Sequence, residues 1–345
     1  MRQLLPGFLI SLVLATPCYS QASADTVARA KTVHHYVWFG GDRDGMKEAK
    51  AFLENKNIEG AQILYPWRRL ERGKDEYDFA PIREDIDFLK ARGKKLWVQL
   101  QEVSFSETRK NVPDYLMNDS IYHGGIAPQY ELPGQDESKA RIAGWVARRW
   151  DPAVQERFHK LLSALGKEFD GEIAGINLPE TAIVFGSSGK LFPPGFSHQS
   201  YRDAIVTNMK ALKRAFPKSV AMQYANFVPG EWRPTEDKGY LRGVYTAAKE
   251  AGVAVGGPDL MPFRPGQVGS SYPLIHEFSN SIPAGIAVQD GNFEEINPNT
   301  GKPVTFNDLL DYATRYLRVD YIFWGTEEPY YSRDVIPGLT RLKKN

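Results

Sequence analysis

Residues 60–101 read GAQILYPWRRLERGKDEYDFAPIREDIDFLKARGKKLWVQLQ. Two short apolar runs, Gly60–Pro66 and Lys95–Gln101, flank a stretch in which Ile82, Ile86 and Leu89 recur at helical spacing. The runs have strand length, and the spacing predicts a helix over Pro81–Arg92. Ala91-Arg92-Gly93 supplies its stop, since glycine takes the left-handed turn that ends helices. Asp85–Lys90 gives that helix a mixed charged face, read as solvated surface. Two strands joined through a helix lie parallel, so this segment is one strand–helix–strand unit of a parallel sheet.

The same alternation runs outward in both directions. Further strands are expected at Val33–Phe39, Ile173–Leu178, Val220–Ala225, Val253–Gly256, Ile286–Gln289 and Tyr321–Trp324. Helices are expected over Pro152–Phe169, Tyr201–Phe216, Gly239–Ala251 and Phe306–Leu317. Eight strands alternating with helices is the number that closes a (β/α)8 barrel. An open, doubly wound sheet would carry a G-x-G-x-x-G phosphate turn after its first strand. Here that turn is Phe39-Gly40-Gly41-Asp42-Arg43-Asp44-Gly45, without that spacing. Ser104–Asp151 is too long for an ordinary strand–helix loop and reads as an insertion after strand 3, a lid or cleft wall carrying Trp145 and Trp150.

The chain has 345 residues with 43 basic and 42 acidic side chains. No basic stripe stands out, which argues against a nucleic-acid partner. Arg2, the apolar run Phe8–Ala15 and Ala22-Ser23-Ala24 have the layout of an export signal cleaved before Asp25. Residues 1–24 are therefore expected to be a signal peptide and 25–345 a single barrel, exported to a periplasm or secreted, with no membrane span in the mature chain. Cleavage removes Cys18, the only cysteine.

Barrel active sites sit at the carboxyl ends of the strands. Going round, those ends offer Trp38; Trp67 and Arg68; Gln101 and Glu102; Asn177 to Glu180; Tyr224 and Asn226; Asp259; Gln289 and Asp290; and Trp324 with Glu327 and Glu328. Carboxylates, amides and aromatics dominate, and no cofactor is called for. Neither a cysteine nucleophile nor a His-x-x-x-His zinc pair is available, so no metal ligand set is expected. The neighbouring His34 and His35 lie inside strand 1, where alternation lets at most one face the barrel centre, and are read as core or cleft histidines. Gly186-Ser187-Ser188-Gly189 lacks the G-x-S-x-G elbow of a serine hydrolase.

Tyr65-Pro66-Trp67-Arg68-Arg69-Leu70-Glu71-Arg72-Gly73, followed by Tyr77-Asp78-Phe79, resembles the clan A glycoside hydrolases. There a strand-2 Trp leads into a Glu, a Gly turn and a Tyr/Phe-Asp-Phe segment. Asp85–Leu96 and Val112-Pro113-Asp114-Tyr115-Leu116 are similar to segments of the same barrels. The resemblance covers about a quarter of the mature chain. It implies a carbohydrate substrate, an acid/base Glu at the end of strand 4 and a nucleophile Glu at the end of strand 7. Glu180 stands in the first position, although the family's Asn directly precedes its Glu and Asn177 here is three residues away. At strand 7, Gln289 cannot be a nucleophile, so Asp290 would take that role, with Glu102, Asp259 and Glu328 as substitutes.

Glycoside cleavage needs one protonated and one ionised carboxyl group. The expected catalytic pair is Glu180 and Asp290. The expected substrate contacts are Trp67, Arg68, Glu102, Asn177, Tyr224, Asn226, Asp259, Gln289, Trp324 and Glu328, with Trp324 as the aromatic floor of the sugar site. A polysaccharide lyase acting on a uronate is a second reading, for which Arg68, Arg264, Tyr224 and His276 are available. A sugar-binding barrel without catalysis is a third, favoured by Gln289.

Overall fold

The structure, a computed structural model, describes residues 31–232 and 237–342. The expected signal peptide and its cleavage site lie outside the described residues. Eight parallel strands pair each with the next and the last with the first: β1 His34–Trp38, β2 Gly60–Pro66, β3 Lys95–Gln101, β4 Gly175–Leu178, β5 Val220–Tyr224, β6 Ala254–Gly257, β7 Ala284–Val288 and β8 Tyr321–Gly325. The chain is a (β/α)8 barrel, and Lys31–Asn345 is one compact unit.

Strand alternation divides the core in two. Inward residues Tyr36, Trp97, Met222, Tyr224, Ala254, Ala287 and Phe323 fill the barrel. Large and small side chains interlock there. Gly175 faces the Trp97 ring, and a Cβ at that glycine would stand 2.7 Å from the indole. Outward residues such as Val37, Ile63, Val98, Ile176, Val255 and Trp324 pack against the helices. The two layers share a backbone cylinder but not a face.

The helices around it include α1 Ala80–Lys90, α2 Pro152–Phe169, α3 His198–Ala215, α4 Tyr240–Ala251, α5 Ser271–Phe278 and α6 Phe306–Asp311. Their ends follow local chemistry. Asp151 accepts from the Ala153 and Val154 amides ahead of α2, Ser197 and Ser200 form a capping box on α3, and Gly252 closes α4 in the left-handed conformation. The stretch expected as one helix over Phe306–Leu317 changes at Tyr312 into a wider π-helical turn, Tyr312–Tyr316.

Between β3 and α2 the chain builds a small antiparallel sheet from Val103–Ser104, Ile126–Glu131 and Arg141–Ala147, with the last strand in the middle. Gly144 lets Arg141–Ala147 approach closely, because a Cβ there would collide with the Ser104 carbonyl oxygen. Trp150 leaves this insertion and packs edge-on against Phe185 and Phe196.

Candidate active site

At the carboxyl end of the barrel a cleft of about 240 Å³ opens between the strands and the insertion. Its barrel side is made by Trp38, Leu64, Pro66, Gln99, Gln101 and Tyr224, with Pro258 and Gln289 opposite. All but the last two lie on inward positions of β1, β2, β3 and β5, and Pro258 and Gln289 continue the inward alternation of β6 and β7. The insertion contributes Ser104, Phe105, Ser106, Arg109 and Asn111, and Glu180 completes the wall.

Below the cleft the barrel interior is hydrogen-bonded. Gln62 Nε2 donates to Asn177 Oδ1 and to the Tyr224 hydroxyl, each at 3.0 Å. Trp97 Nε1 donates to the same Asn177 oxygen at 3.0 Å. Trp38 Nε1 donates to Gln99 Oε1 at 2.9 Å, which turns its ring along the cleft wall. Gln101 Oε1 is buried against the cleft without a hydrogen-bond partner. An orphaned acceptor at that place is suited to a hydroxyl donor from a bound molecule.

Glu180 follows the short strand β4, and Asn226, just beyond β5, donates from Nδ2 to Glu180 Oε2 at 2.6 Å. Burial pushes the Glu180 carboxyl up to about 7, the Asn226 bond opposes that, and the nearby Asp259 charge raises it further. Asp259 is itself raised above its ordinary value by burial, against a hydrogen bond from Asn292 and the charge of Arg264. Asn292 Nδ2 reaches Asp259 Oδ1 at 3.1 Å, while its Oδ1 accepts from the Leu260 and Gln289 amides. One asparagine thus ties the ends of β6 and β7 and aims Asp259. Two carboxyl groups, both raised by burial, share this end of the barrel.

Behind Glu180 lies a buried ion pair. Arg149 donates to both carboxylate oxygens of Glu102, at 2.5 and 3.0 Å, to the Tyr201 hydroxyl at 2.5 Å, and to the Glu180 backbone oxygen at 3.3 Å. The Tyr201 hydroxyl in turn donates to the Thr181 carbonyl at 2.9 Å.

The structure brings Glu180, Tyr224, Asn226, Asp259 and Gln289 together and separates the other expected site residues. Trp67 opens a single helical turn after β2, is fully buried against Phe158 of α2, and donates to Glu71 at 2.7 Å. Trp324 faces outward, stacked on Phe306 at 4.7 Å and bonded to His35 Nδ1 at 3.2 Å, so it does not floor the cleft. Asn177 points inward one layer too deep. Arg68 is held by Asp114 at 2.7 Å outside the cleft. Glu102 is consumed by Arg149. Asp290 is exposed on the turn after β7, because alternation sends Gln289 inward and the next residue out. Glu328 is exposed and accepts from Ser332 at 2.5 Å. Of the residues considered for a uronate lyase, His276 is occupied at the Tyr316 carbonyl, at 2.6 Å.

Of the two strand-1 histidines, His35 faces the helix layer, where burial lowers it to about 4 and keeps it neutral. His34 pairs with Glu59 at 2.5 Å at the opposite end of the barrel from the cleft. Among cleft residues, Trp38 and Gln101 were visible as strand ends. Phe105 and Arg109 lie in the insertion, where no periodicity marks them out.

No protein-family profile and no curated protein sequence matches this chain. Solved structures of similar shape include a β-galactosidase from Bacillus circulans sp. alkalophilus, at 11% identity and a TM-score of 0.55. That match covers 85% of this chain and 50% of the other, so the chain spans about half the length of that β-galactosidase. The catalytic domain of a β-amylase from Paenibacillus polymyxa matches at 15% identity and a TM-score of 0.44, over 87% of each chain. Xylanase 10B from Thermotoga petrophila RKU-1, in complex with xylobiose, matches at 11% and 0.46, over 88% of this chain and 86% of the other. These neighbours are glycoside hydrolases, and the likeness they share with this chain is that of the (β/α)8 barrel.

Proposed function

We propose that this protein is a glycoside hydrolase in which Glu180 is the general acid. The observation that carries this is a carboxyl group on the cleft wall whose acidity burial has shifted to about 7. At weakly acidic pH it keeps a proton to give to the leaving glycosidic oxygen. Asp259, whose carboxyl burial also raises, lies near enough to act electrostatically on Glu180 and is the candidate for the second carboxylate. Asn226 orients Glu180. Trp38 and Phe105 offer ring faces, and Gln101 offers an unpaired acceptor, to a sugar in the cleft. In this reading Asp259 replaces Asp290 as the partner of Glu180, because Asp290 points to solvent.

The test is a glycan panel read for new reducing ends and for ultraviolet absorbance together. A hydrolase yields reducing ends, a lyase yields an absorbing unsaturated sugar, and a binding protein yields neither. Glu180→Gln keeps the shape and removes the transferable proton, so turnover on the best glycan should fall at least about 10²-fold. Near-normal turnover by that variant overturns the assignment.

A further inference from the structure

We propose that Arg109 forms an anion subsite of this cleft, and that the glycan bound there carries a negatively charged substituent, a uronate carboxylate or a sulfate ester. The inference rests on reading the cleft as a carbohydrate site and specifies the class of sugar.

Arg109 lines the cleft, and its side chain makes no hydrogen bond or ion pair with any described residue. Its surroundings use their cations differently. Arg68 is paired with Asp114, Arg149 with Glu102 and Arg157 with Glu71. The adjacent Lys110 is turned away and lies over the Trp145 ring at 4.5 Å. Arg109 is therefore left as an exposed guanidinium, without a protein partner among the described residues, on a residue that lines the cleft.

The backbone that carries it is fastened on several sides. The Arg109 carbonyl accepts from Ser104 Oγ at 2.5 Å, and Trp145 Nε1 donates to the Glu107 carbonyl at 2.7 Å. Asn111 Nδ2 donates to the Val103 carbonyl at 2.6 Å, and Gln129 Nε2 to the Ser104 carbonyl at 2.7 Å. The anchored backbone limits the cost of ordering the loop, and a guanidinium can hold a carboxylate or sulfate through two parallel bonds. Phe105, 58% exposed on the same loop, gives the apolar face of that sugar ring a surface to lie on. Arg109 and Glu180 both lie on this cleft wall.

The experiment measures binding, so that it does not depend on turnover. Oligosaccharides of galacturonate, mannuronate and sulfated chondroitin are titrated at low salt, each beside its carboxyl-reduced or desulfated counterpart. At least one acidic oligosaccharide should bind about tenfold or more tightly than its neutral counterpart, with the preference shrinking as salt is added. Whether carboxyl reduction or desulfation removes the preference identifies the anionic group. Arg109→Gln should bring the acidic-to-neutral affinity ratio to within about twofold of one, and Arg109→Glu should push it below one. Arg109 is exposed, and unchanged melting temperatures would show both variants folded. No acidic preference in the wild type, or the same preference in Arg109→Gln, overturns the subsite. Reducing ends released from neutral glycans without acidic preference would leave the hydrolase reading standing and remove the subsite. An Arg109-dependent acidic preference without any cleavage would do the reverse.

Discussion

Glu180 shows how a single side chain acquires its chemistry from its surroundings. Its folded-state pKa of about 7 lies above its ordinary value of 4.5, chiefly because burial disfavours the charged form. The linked stability is full below about pH 4.5 and is lost as pH rises through 7. Glu180→Gln, which never ionises, should therefore gain stability relative to the wild type between pH 5 and pH 8. The limit is about 3 kcal/mol, measured by denaturant unfolding at both values. A wild-type-to-variant gap that does not move with pH would mean that burial does not shift this carboxyl. As the proposed general acid, Glu180 would also set the alkaline limb of activity, so kcat/KM should fall with an apparent pKa near 7. The aromatic residues separate just as cleanly. Trp38→Ala should weaken glycan binding by about 1 kcal/mol or more with little loss of melting temperature. Trp324→Ala should instead cost about 3–5 kcal/mol of stability, because the indole is fully buried against Phe306. A Trp324→Ala protein with an unchanged melting temperature and weakened glycan binding would contradict this assignment.

At the scale of the elements, alternation decided which strand-end residues reach the cleft. Strand position was legible because short apolar runs bounded by helical spacing repeat eight times; β2 and β3 fall on the residues expected of them. Direction was harder. Position along a strand puts Trp324 and Asp290 at the rim, but Phe323 and Gln289 hold the inward parity, so their neighbours face out. Depth was also missed at Asn177, which has inward parity but belongs to the hydrogen-bonded layer below the cleft. The insertion was legible by length alone, since its antiparallel sheet is short and irregular and its cleft residues follow no period. It is attached to the barrel through Arg149, whose bonds reach Glu102 after β3, Tyr201 on α3 and the Glu180 backbone. Breaking a buried ion pair strands a charge, so Arg149→Met should destabilise by about 3–5 kcal/mol. The double variant Arg149→Met, Glu102→Met should recover much of that stability, because no charge is left buried. Activity should not return with it, since the backbone of Glu180 has lost its support. Full activity in a stable double variant would make the pair a packing device alone.

At the scale of the whole molecule, the barrel collects side chains distant in sequence: Trp38 and Gln289 line one cleft of about 240 Å³. That convergence is a property of closure and has no signature in any one segment, which is why the fold was more legible than the site. The N-terminal boundary bears on a different question. β1 starts at His34, and Ala22-Ser23-Ala24 precedes it by nine residues. Cleavage before Asp25 would take 24 residues from 345, leaving 321 with every barrel strand intact and no cysteine. A basic start, an apolar run of Phe8–Ala15 and a small-x-small site are the features that export machinery reads. Protein isolated from its native host should therefore begin at or near Asp25 and be recovered outside the cytosol. The check is N-terminal sequencing of the material in each fraction. An intact Met1 terminus in the cytosolic fraction would remove the argument for export and leave the barrel, with its cleft, as an internal enzyme.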